Sequence, residues 1–242
     1  EHLPMKFAHL ALALLLLHGI APLHSQTVKD REGAVRGDAE RMESEDEWIY
    51  NNLPSAFAEA KQSGKPLMVV LRCVPCLGCL GIDTEVLMEN RDLAPLMDQF
   101  VRVRVINANS LDLSLFQFDF DLSFSVLFFD GEGNIYGRFG SWEHQEDSQN
   151  RATAGLRLAL ERVLQLHEHR ETRLASLAGK KGDPMPWPTP VDMPAFQGKY
   201  RPELDWNGNV VKSCVHCHQV GDAIRLHYRD RGQDIPLKWI LP

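Results

Sequence analysis

Apolar runs and one alternating stretch mark the predicted strands of this chain. Residues 66–71 and 126–129 are continuously apolar, and both runs have the length of strands that are buried on two faces. Residues 100–106 alternate between apolar side chains and arginines, which predicts a further strand. Residues 135–139 follow an Asp-Gly-Glu-Gly turn at 130–133, so the last two strands are predicted to form a hairpin.

Three other stretches have the spacing of helices. Residues 54–61 contain Ser55 as a candidate N-cap and end before Gly64, a residue type that commonly terminates helices. Residues 85–97 are helix-like, and residues 152–167 place leucines and a valine on a helical period. The resulting order β-α-β-loop-β-β-α predicts an α/β fold with one mixed sheet.

The N-terminal residues have the pattern of an export signal. Met5 and Lys6 precede an uninterrupted apolar run at 10–17, which is followed by small and turn-forming residues. The run is shorter than the roughly 20 residues that span a bilayer. We therefore expect a signal peptide at 1–25, cleaved after Ser25 with Ala21 as the alternative site. We also expect a periplasmic or extracytoplasmic location, and membrane contact only through that peptide.

Composition and charge narrow the class of protein. Of 242 residues, 44% are hydrophobic and 24% charged, which is typical of a globular protein and excludes collagen-like, wholly disordered and multi-pass membrane classes. The net charge of −7 and the lack of a Lys/Arg-rich run argue against a nucleic-acid partner. Residues 26–46 are polar and acidic without an apolar period, so we expect a flexible lead-in there.

Three segments carry a family resemblance. The chain contains KPLMVVLRCVPCLGC, which begins at Lys65, and then EVLMENRDLAPLMDQFVRVRV and LFFDGEGNIYGRFG. Together they resemble the extracytoplasmic thioredoxin-like proteins, over roughly residues 48–170. The resemblance implies a thioredoxin-like fold at 47–172, with a mixed central sheet flanked by helices. It also implies a redox-active cysteine pair where a strand meets a helix, since the helix dipole lowers a thiol pKa there.

Two overlapping cysteine pairs in CVPCLGC are candidates for that redox pair: Cys73 with Cys76, and Cys76 with Cys79. In the resembling proteins, the number of residues from the strand-opening lysine to the first catalytic cysteine matches the spacing from Lys65 to Cys76. The number from the second catalytic cysteine to an acidic residue on the helix matches the spacing from Cys79 to Glu85. This comparison implies that Cys76 is the nucleophile, Cys79 the resolving thiol, and Cys73 an extra thiol at the strand end. The alternative is a static disulfide or a metal clip.

Prolines dominate the chain beyond the predicted domain. Residues 180–196 hold five of the 14 prolines, too many to continue a helix or to donate into a sheet. This composition predicts an extended connector at 173–205 that packs on a surface, with Trp187 and Phe196 as docking points.

The segment at 206–242 contains Cys214-Val-His-Cys217-His218, which is the C-x-x-C-H attachment motif of c-type haem. In that chemistry two thiols add to the haem vinyl groups and the adjacent histidine coordinates the iron. The segment resembles the haem-attachment start of a cytochrome c, which predicts a mostly helical segment with one covalent haem c. His218 is the expected iron ligand and His227 the candidate for a second one. A zinc site or a plain disulfide is the alternative.

Two hypotheses about function follow. The first is an exported redox protein that combines a thioredoxin-like dithiol with a covalent haem and serves an extracytoplasmic redox partner protein in thiol–disulfide exchange or electron transfer. The second is a non-catalytic thioredoxin-like scaffold whose haem or zinc site is a relay, sensor or interaction module. Phe124 stands about where the family keeps a proline opposite its dithiol, which implies weak general disulfide reductase activity.

Overall fold

A five-stranded mixed sheet forms the centre of the protein. The computed structural model describes residues 29–75, 91–121, 124–140, 148–177, 180 and 182–240. The strands are β1 (Ile49–Tyr50), β2 (Leu67–Arg72), β3 (Val101–Val105), β4 (Phe124–Phe129) and β5 (Ile135–Phe139). They lie in the order β1-β3-β2-β4-β5. The first three in this order are parallel, whereas β4 runs antiparallel to β2 and to β5. The predicted mixed sheet and its terminal hairpin are confirmed.

The central strand β2 is buried on both faces, as its apolar run predicts. Its residues Leu67, Val69 and Leu71 face one hydrophobic cluster, and Met68 and Val70 face another. We call these cluster 1 and cluster 2. Cluster 1 also contains the phenylalanines of the loop after β3, together with residues from the C-terminal part of the chain. Cluster 2 is closed mainly by the long helix near residue 160. The carboxyl end of β2 therefore emerges between two packed layers.

Within the described residues, five helices belong to this α/β part of the chain. They are α1 (Arg31–Glu43), α2 (Leu53–Ser63), α3 (Ala94–Met97), α4 (Ser148–Glu168) and α5 (Arg170–Leu177). The helix predicted at 54–61 is confirmed, but its N-cap is Asn52, whose side chain accepts a hydrogen bond from the Ser55 N–H. The helix predicted at 85–97 lies partly outside the described residues, and its described end forms α3.

The prediction of a flexible lead-in at 26–46 is wrong over α1. This helix buries a single stripe that consists of Val35, Asp38 and Met42. Asp38 is only 4% exposed because it forms ion pairs with Arg72 of β2 and Arg104 of β3. One member of the buried stripe is a carboxylate, so the segment lacks the apolar period by which a packed helix is usually recognised.

The same ion pairs explain how an alternating strand becomes buried on both faces. Arg102 and Arg104 occupy the polar positions of β3, and both side chains are buried. Arg102 pairs with Glu47 at 3.0 Å and with Asp98 at 3.3 Å, while Arg104 Nε donates to Asp38 Oδ2 at 3.1 Å. A buried guanidinium is tolerated only where carboxylates compensate its charge.

The proline-rich connector packs on cluster 1. Met193 and Phe196 are buried in that cluster, and Trp187 packs against it. Backbone hydrogen bonds tie the connector to the loop after β3, with the Leu113 N–H donating to the Pro188 carbonyl at 2.9 Å. Phe196 and Trp187, the predicted docking points, thus both contact cluster 1.

The C-terminal segment is mostly helical and shares the core of the sheet. It contains α6 (Val210–Ser213) and α7 (Cys217–Asp230), and its Val215, Ile224 and Trp239 belong to cluster 1. The end of the chain is thus packed as part of the same hydrophobic core rather than beside it. Within the described ranges, no helix combines the length and apolar character that a membrane span requires. The predicted signal peptide lies outside the described residues.

Candidate functional site

The site is centred on Cys73, the first residue after β2. The side chain of Cys73 is half-buried and packs against cluster 2. Its Sγ lies 3.7 Å from Nδ1 of His216, which is 143 residues away in the chain. His216 stands between Cys214 and Cys217 in the C-x-x-C-H motif. The structure therefore brings Cys73 and the C-terminal motif together.

A buried asparagine holds the motif against the sheet. Asn109, in the loop after β3, is 0% exposed. Its Oδ1 accepts from the Val215 N–H at 2.8 Å, and its Nδ2 donates to the carbonyls of Arg201 and Ser213 at 2.7 and 2.8 Å. The neighbouring Ala108 N–H donates to the Val215 carbonyl at 2.8 Å. The bonds to Val215 and Ala108 satisfy backbone groups of buried residues, which would otherwise lack a partner.

Helix α1 fixes the segment from its other side. The Glu32 carboxylate accepts from the N–H groups of Val210 and Val211, at 3.0 and 3.1 Å, at the start of α6. Arg36 donates to the carbonyls of Trp206 and Gly208 at 2.8 and 2.9 Å. The acidic helix near the N-terminus thus positions the motif as well as neutralising the buried arginines.

The two cysteines of the motif are thiols with different surroundings. Cys214 is 4% exposed, its Sγ donates to the Val210 carbonyl at 3.2 Å, and it packs with Val35, Val74 and other residues of a third cluster. Cys217 is the first residue of α7 and is half-buried. Burial raises the pKa of each thiol to about 12, and the negative charge of a Cys73 thiolate adds to both shifts. Both are therefore protonated at neutral pH.

His216 is the N-cap of α7, and its backbone N–H donates to Gln219 Oε1 at 2.8 Å. Burial lowers the pKa of His216 to about 4, with the positive charges of His218 and Arg31 as further causes. The imidazole beside Cys73 is consequently neutral at physiological pH. A neutral imidazole nitrogen can accept a hydrogen bond from a thiol or, in the other tautomer, donate one to a thiolate.

The two predicted iron ligands are not brought together. His218 and His227 lie on one continuous helix, nine positions apart, which places them on opposite sides of α7 and about 13 Å apart along its axis. The His227 ring instead lies 4.5 Å from the Trp187 ring, and its Nδ1 is 2.6 Å from Arg231 Nη1. One iron atom cannot bind both histidines in this arrangement.

The motif as folded does not fit a covalent haem. Attachment requires both cysteine sulfurs on the porphyrin edge and the following histidine over the iron. Here the Cys214 sulfur points into the protein, toward the Val210 carbonyl, and the residue is buried in the third cluster. The His218 ring is stacked near the His216 ring, with 6.2 Å between centroids.

A zinc site, the alternative to haem, is also not formed by the residues that the structure describes. Among them, no three His, Cys, Asp or Glu side chains are grouped so that they could hold a metal ion. Cys76 and Cys79, the predicted nucleophile and resolving thiol, lie outside the described residues. Phe124 is the first residue of β4, is buried, and pairs in register with Arg72, the residue before Cys73.

Asn109 and Asp38 are the main site-forming residues that the sequence does not reveal. Asn109 is one of several polar residues in the loop after β3, and nothing in its sequence neighbourhood distinguishes it. Asp38 has a weak signal: an acidic stretch and an Arg-bearing strand occur in the same small chain, and buried arginines need carboxylate partners. The contact between Cys73 and His216 has no signal, because it joins residues that are far apart in sequence.

Comparison with known proteins supports the fold of the central part of the chain. Residues 48–131 match a protein family described as thioredoxin-like. No curated protein matches the chain. The matched region contains β1 to β4 and the strand end that carries Cys73. The α/β part of this protein therefore has a thioredoxin-like fold, which indicates a redox-related role.

Proposed function

We propose that this protein is a thiol–disulfide redox protein that works at the carboxyl end of β2. The observation that carries the proposal is the 3.7 Å approach of Cys73 Sγ to His216 Nδ1. It places a cysteine at the strand end of a thioredoxin-like sheet beside a neutral imidazole and near two further thiols. Such a grouping is suited to thiol–disulfide exchange, which needs a thiolate, a disulfide and a proton acceptor.

The surroundings of Cys73 support this chemistry. The strand that ends at Arg72 is anchored by the ion pair between Arg72 and Asp38, at 3.2 Å, so the position of the following cysteine is well defined. His216 is held through its backbone N–H, which donates to Gln219 Oε1, and through the neighbouring Val215, which Asn109 binds. A reactive group supported by rigid elements keeps the geometry that exchange requires.

The pattern at 1–25 supports export as part of the proposal, because disulfides persist in oxidising compartments. The natural partner would then be an extracytoplasmic redox protein rather than a nucleic acid or a lipid. Phe124 stands where the resembling family has a substrate-docking proline, which favours a dedicated partner over general disulfide reduction.

A redox titration tests the proposal. The variant Cys214→Ser/Cys217→Ser retains only the strand-end cysteines 73, 76 and 79. The variant is equilibrated with mixtures of reduced and oxidised glutathione, and the reaction is quenched in acid. The free thiols are then alkylated, and the mass of the intact protein is measured by mass spectrometry. We expect the number of alkylated thiols to fall by two across the series, as one disulfide forms. A cluster that remains fully reduced, or fully oxidised, in every mixture would contradict the proposal.

The second candidate is haem-dependent electron transfer, which the C-V-H-C-H motif alone favours. It requires Cys214 to leave the third cluster and the segment from Val210 onward to rotate. Protein produced with a haem-attachment system would then carry haem that survives denaturing electrophoresis. That haem would be lost in Cys214→Ala/Cys217→Ala.

A further inference from the structure

Cys73 and the two cysteines of the C-terminal motif lie in neighbouring parts of the fold. Cys73 comes from the strand end, and Cys214 and Cys217 flank the histidine that its sulfur approaches. Val74, the residue after Cys73, shares the third cluster with Cys214. The charge of a Cys73 thiolate also contributes to the pKa shifts of both C-terminal thiols, so the three sulfurs are electrostatically coupled.

We propose that Cys214 and Cys217 form an intramolecular exchange partner for Cys73, in which Cys217 exchanges with Cys73 and Cys214 resolves the mixed disulfide. This inference rests on the proposed thiol–disulfide function and adds a second dithiol to it. The roles follow from position. Cys217 is half-buried at the first position of a 14-residue helix, so its sulfur is more accessible than that of Cys214. Cys214 is buried one turn before it and faces away from solvent.

The exchange balances without an additional reactant. It starts from a disulfide between Cys73 and either another strand-end cysteine or a substrate thiol. The Cys217 thiolate attacks the Cys73 sulfur, a Cys73–Cys217 bond forms, and the former partner of Cys73 leaves as a thiolate. Cys214 then attacks the Cys217 sulfur, and Cys73 leaves as a thiolate. Two electrons pass from the C-terminal pair to the original disulfide, and the protons of Cys214 and Cys217 pass to the two leaving sulfurs.

His216 is the side chain of the motif that contacts the sulfur of Cys73. Its Nδ1 lies 3.7 Å from Cys73 Sγ, and His216 is the N-cap residue of α7. A neutral imidazole nitrogen can accept a hydrogen bond from the Cys73 thiol or, in the other tautomer, donate one to the Cys73 thiolate when it leaves.

The variant Cys214→Ser traps the intermediate that the proposal requires. A serine hydroxyl can keep the hydrogen bond to the Val210 carbonyl, so the change is conservative. After the full-length variant is oxidised with oxidised glutathione and quenched in acid, proteolysis and mass spectrometry should find a peptide containing Cys73 linked to one containing Cys217. The matched variant Cys217→Ser should lack a link from Cys73 to the C-terminal segment.

The possible results separate this inference from the proposed function. A disulfide among cysteines 73, 76 and 79 with no link to Cys217 in the Cys214→Ser variant would overturn the inference and leave the proposed function standing. A Cys73–Cys214 link in the Cys217→Ser variant would overturn the assignment of roles. The absence of any reversible disulfide would contradict both.

A kinetic measurement on a chain with both C-terminal cysteines tests the inference even if the Cys214→Ser variant misfolds. In wild type, the Cys214–Cys217 disulfide should be reduced by dithiothreitol at least about tenfold faster than in Cys73→Ser, because Cys73 provides an internal route. Equal rates in the two proteins would overturn the inference.

Discussion

At the scale of single residues, the site depends on groups whose charge is set by burial. Asp38 is one carboxylate between Arg72 and Arg104, and all three side chains are buried. Removing one partner of such a group leaves charge without compensation, which costs more than the pair itself contributes. Asp38 therefore links the stability of the fold to the position of the strand end that carries Cys73.

We expect Asp38→Asn to lower the free energy of unfolding by roughly 3 to 5 kcal/mol, because two buried guanidinium groups lose their shared carboxylate. Urea unfolding followed by circular dichroism measures this loss. The control is Glu40→Gln, which removes an exposed carboxylate from the same helix and should change stability by less than about 0.5 kcal/mol. Equal effects of the two substitutions would contradict the role given to Asp38.

The buried thiols predict a distinct pH dependence of alkylation. Burial raises the pKa of Cys214 and Cys217 to about 12 from an ordinary value of 9.0. Only the thiolate reacts, so at pH 8 the folded protein should be alkylated at these positions up to about a thousandfold more slowly than the unfolded chain. The rate should keep rising with pH toward 12 in the folded protein and level off above 9 in urea. Peptide-resolved alkylation with iodoacetamide provides the measurement, and equal rates at pH 8 would contradict the burial of these thiols.

At the scale of elements, the regular strands could be predicted and the contacts between distant segments could not. Continuous apolar runs predict β2 and β4, because a strand that is buried on both faces has apolar side chains at nearly every position. Helix α1 escaped prediction because its buried stripe contains Asp38. The cysteine motif at the start of α7 could be recognised, but the buried position of Cys214 depends on Asn109 and on α1.

Asn109→Ala should release the C-terminal segment locally. The substitution removes three hydrogen bonds and leaves the buried Val215 N–H without its acceptor, which costs roughly 3 kcal/mol in total. The alkylation rate of Cys214 should increase by on the order of tenfold or more, as the segment opens more often. Ser110→Ala is the matched control, because it removes only one exposed hydrogen bond from the next residue. An unchanged Cys214 rate in Asn109→Ala would show that other contacts hold the segment.

At the scale of the whole molecule, the sheet and the C-terminal segment share cluster 1. Val215, Val220 and Ile224 belong to that cluster together with Leu67 and Leu71 of β2. Composition alone suggests a separate haem-attachment segment beyond a connector, because prolines mark boundaries as readily as they mark packed extended chain. Because Met193 and Phe196 are buried, the proline-rich segment is packed extended chain and not a boundary between separate units.

The shared core predicts cooperative unfolding. Amide hydrogens of α7 around Val220 and Ile224 should exchange with the same protection as those of β2, and both sets should lose it together as urea increases. Hydrogen exchange measured by mass spectrometry on the full chain resolves the two regions. Loss of protection in α7 at a clearly lower urea concentration would show that the C-terminal segment is an independent unit.

The central claim is that the C-x-x-C-H motif is a dithiol packed beside Cys73. The most direct measurement is the intact mass and visible spectrum of the full chain, produced in a host that attaches haem to exported proteins. We expect a colourless protein in which Cys214 and Cys217 are both alkylated after reduction in denaturant. A peptide that contains Cys214 and Cys217 and still carries covalent haem, with the matching absorption band in the intact protein, would contradict the account.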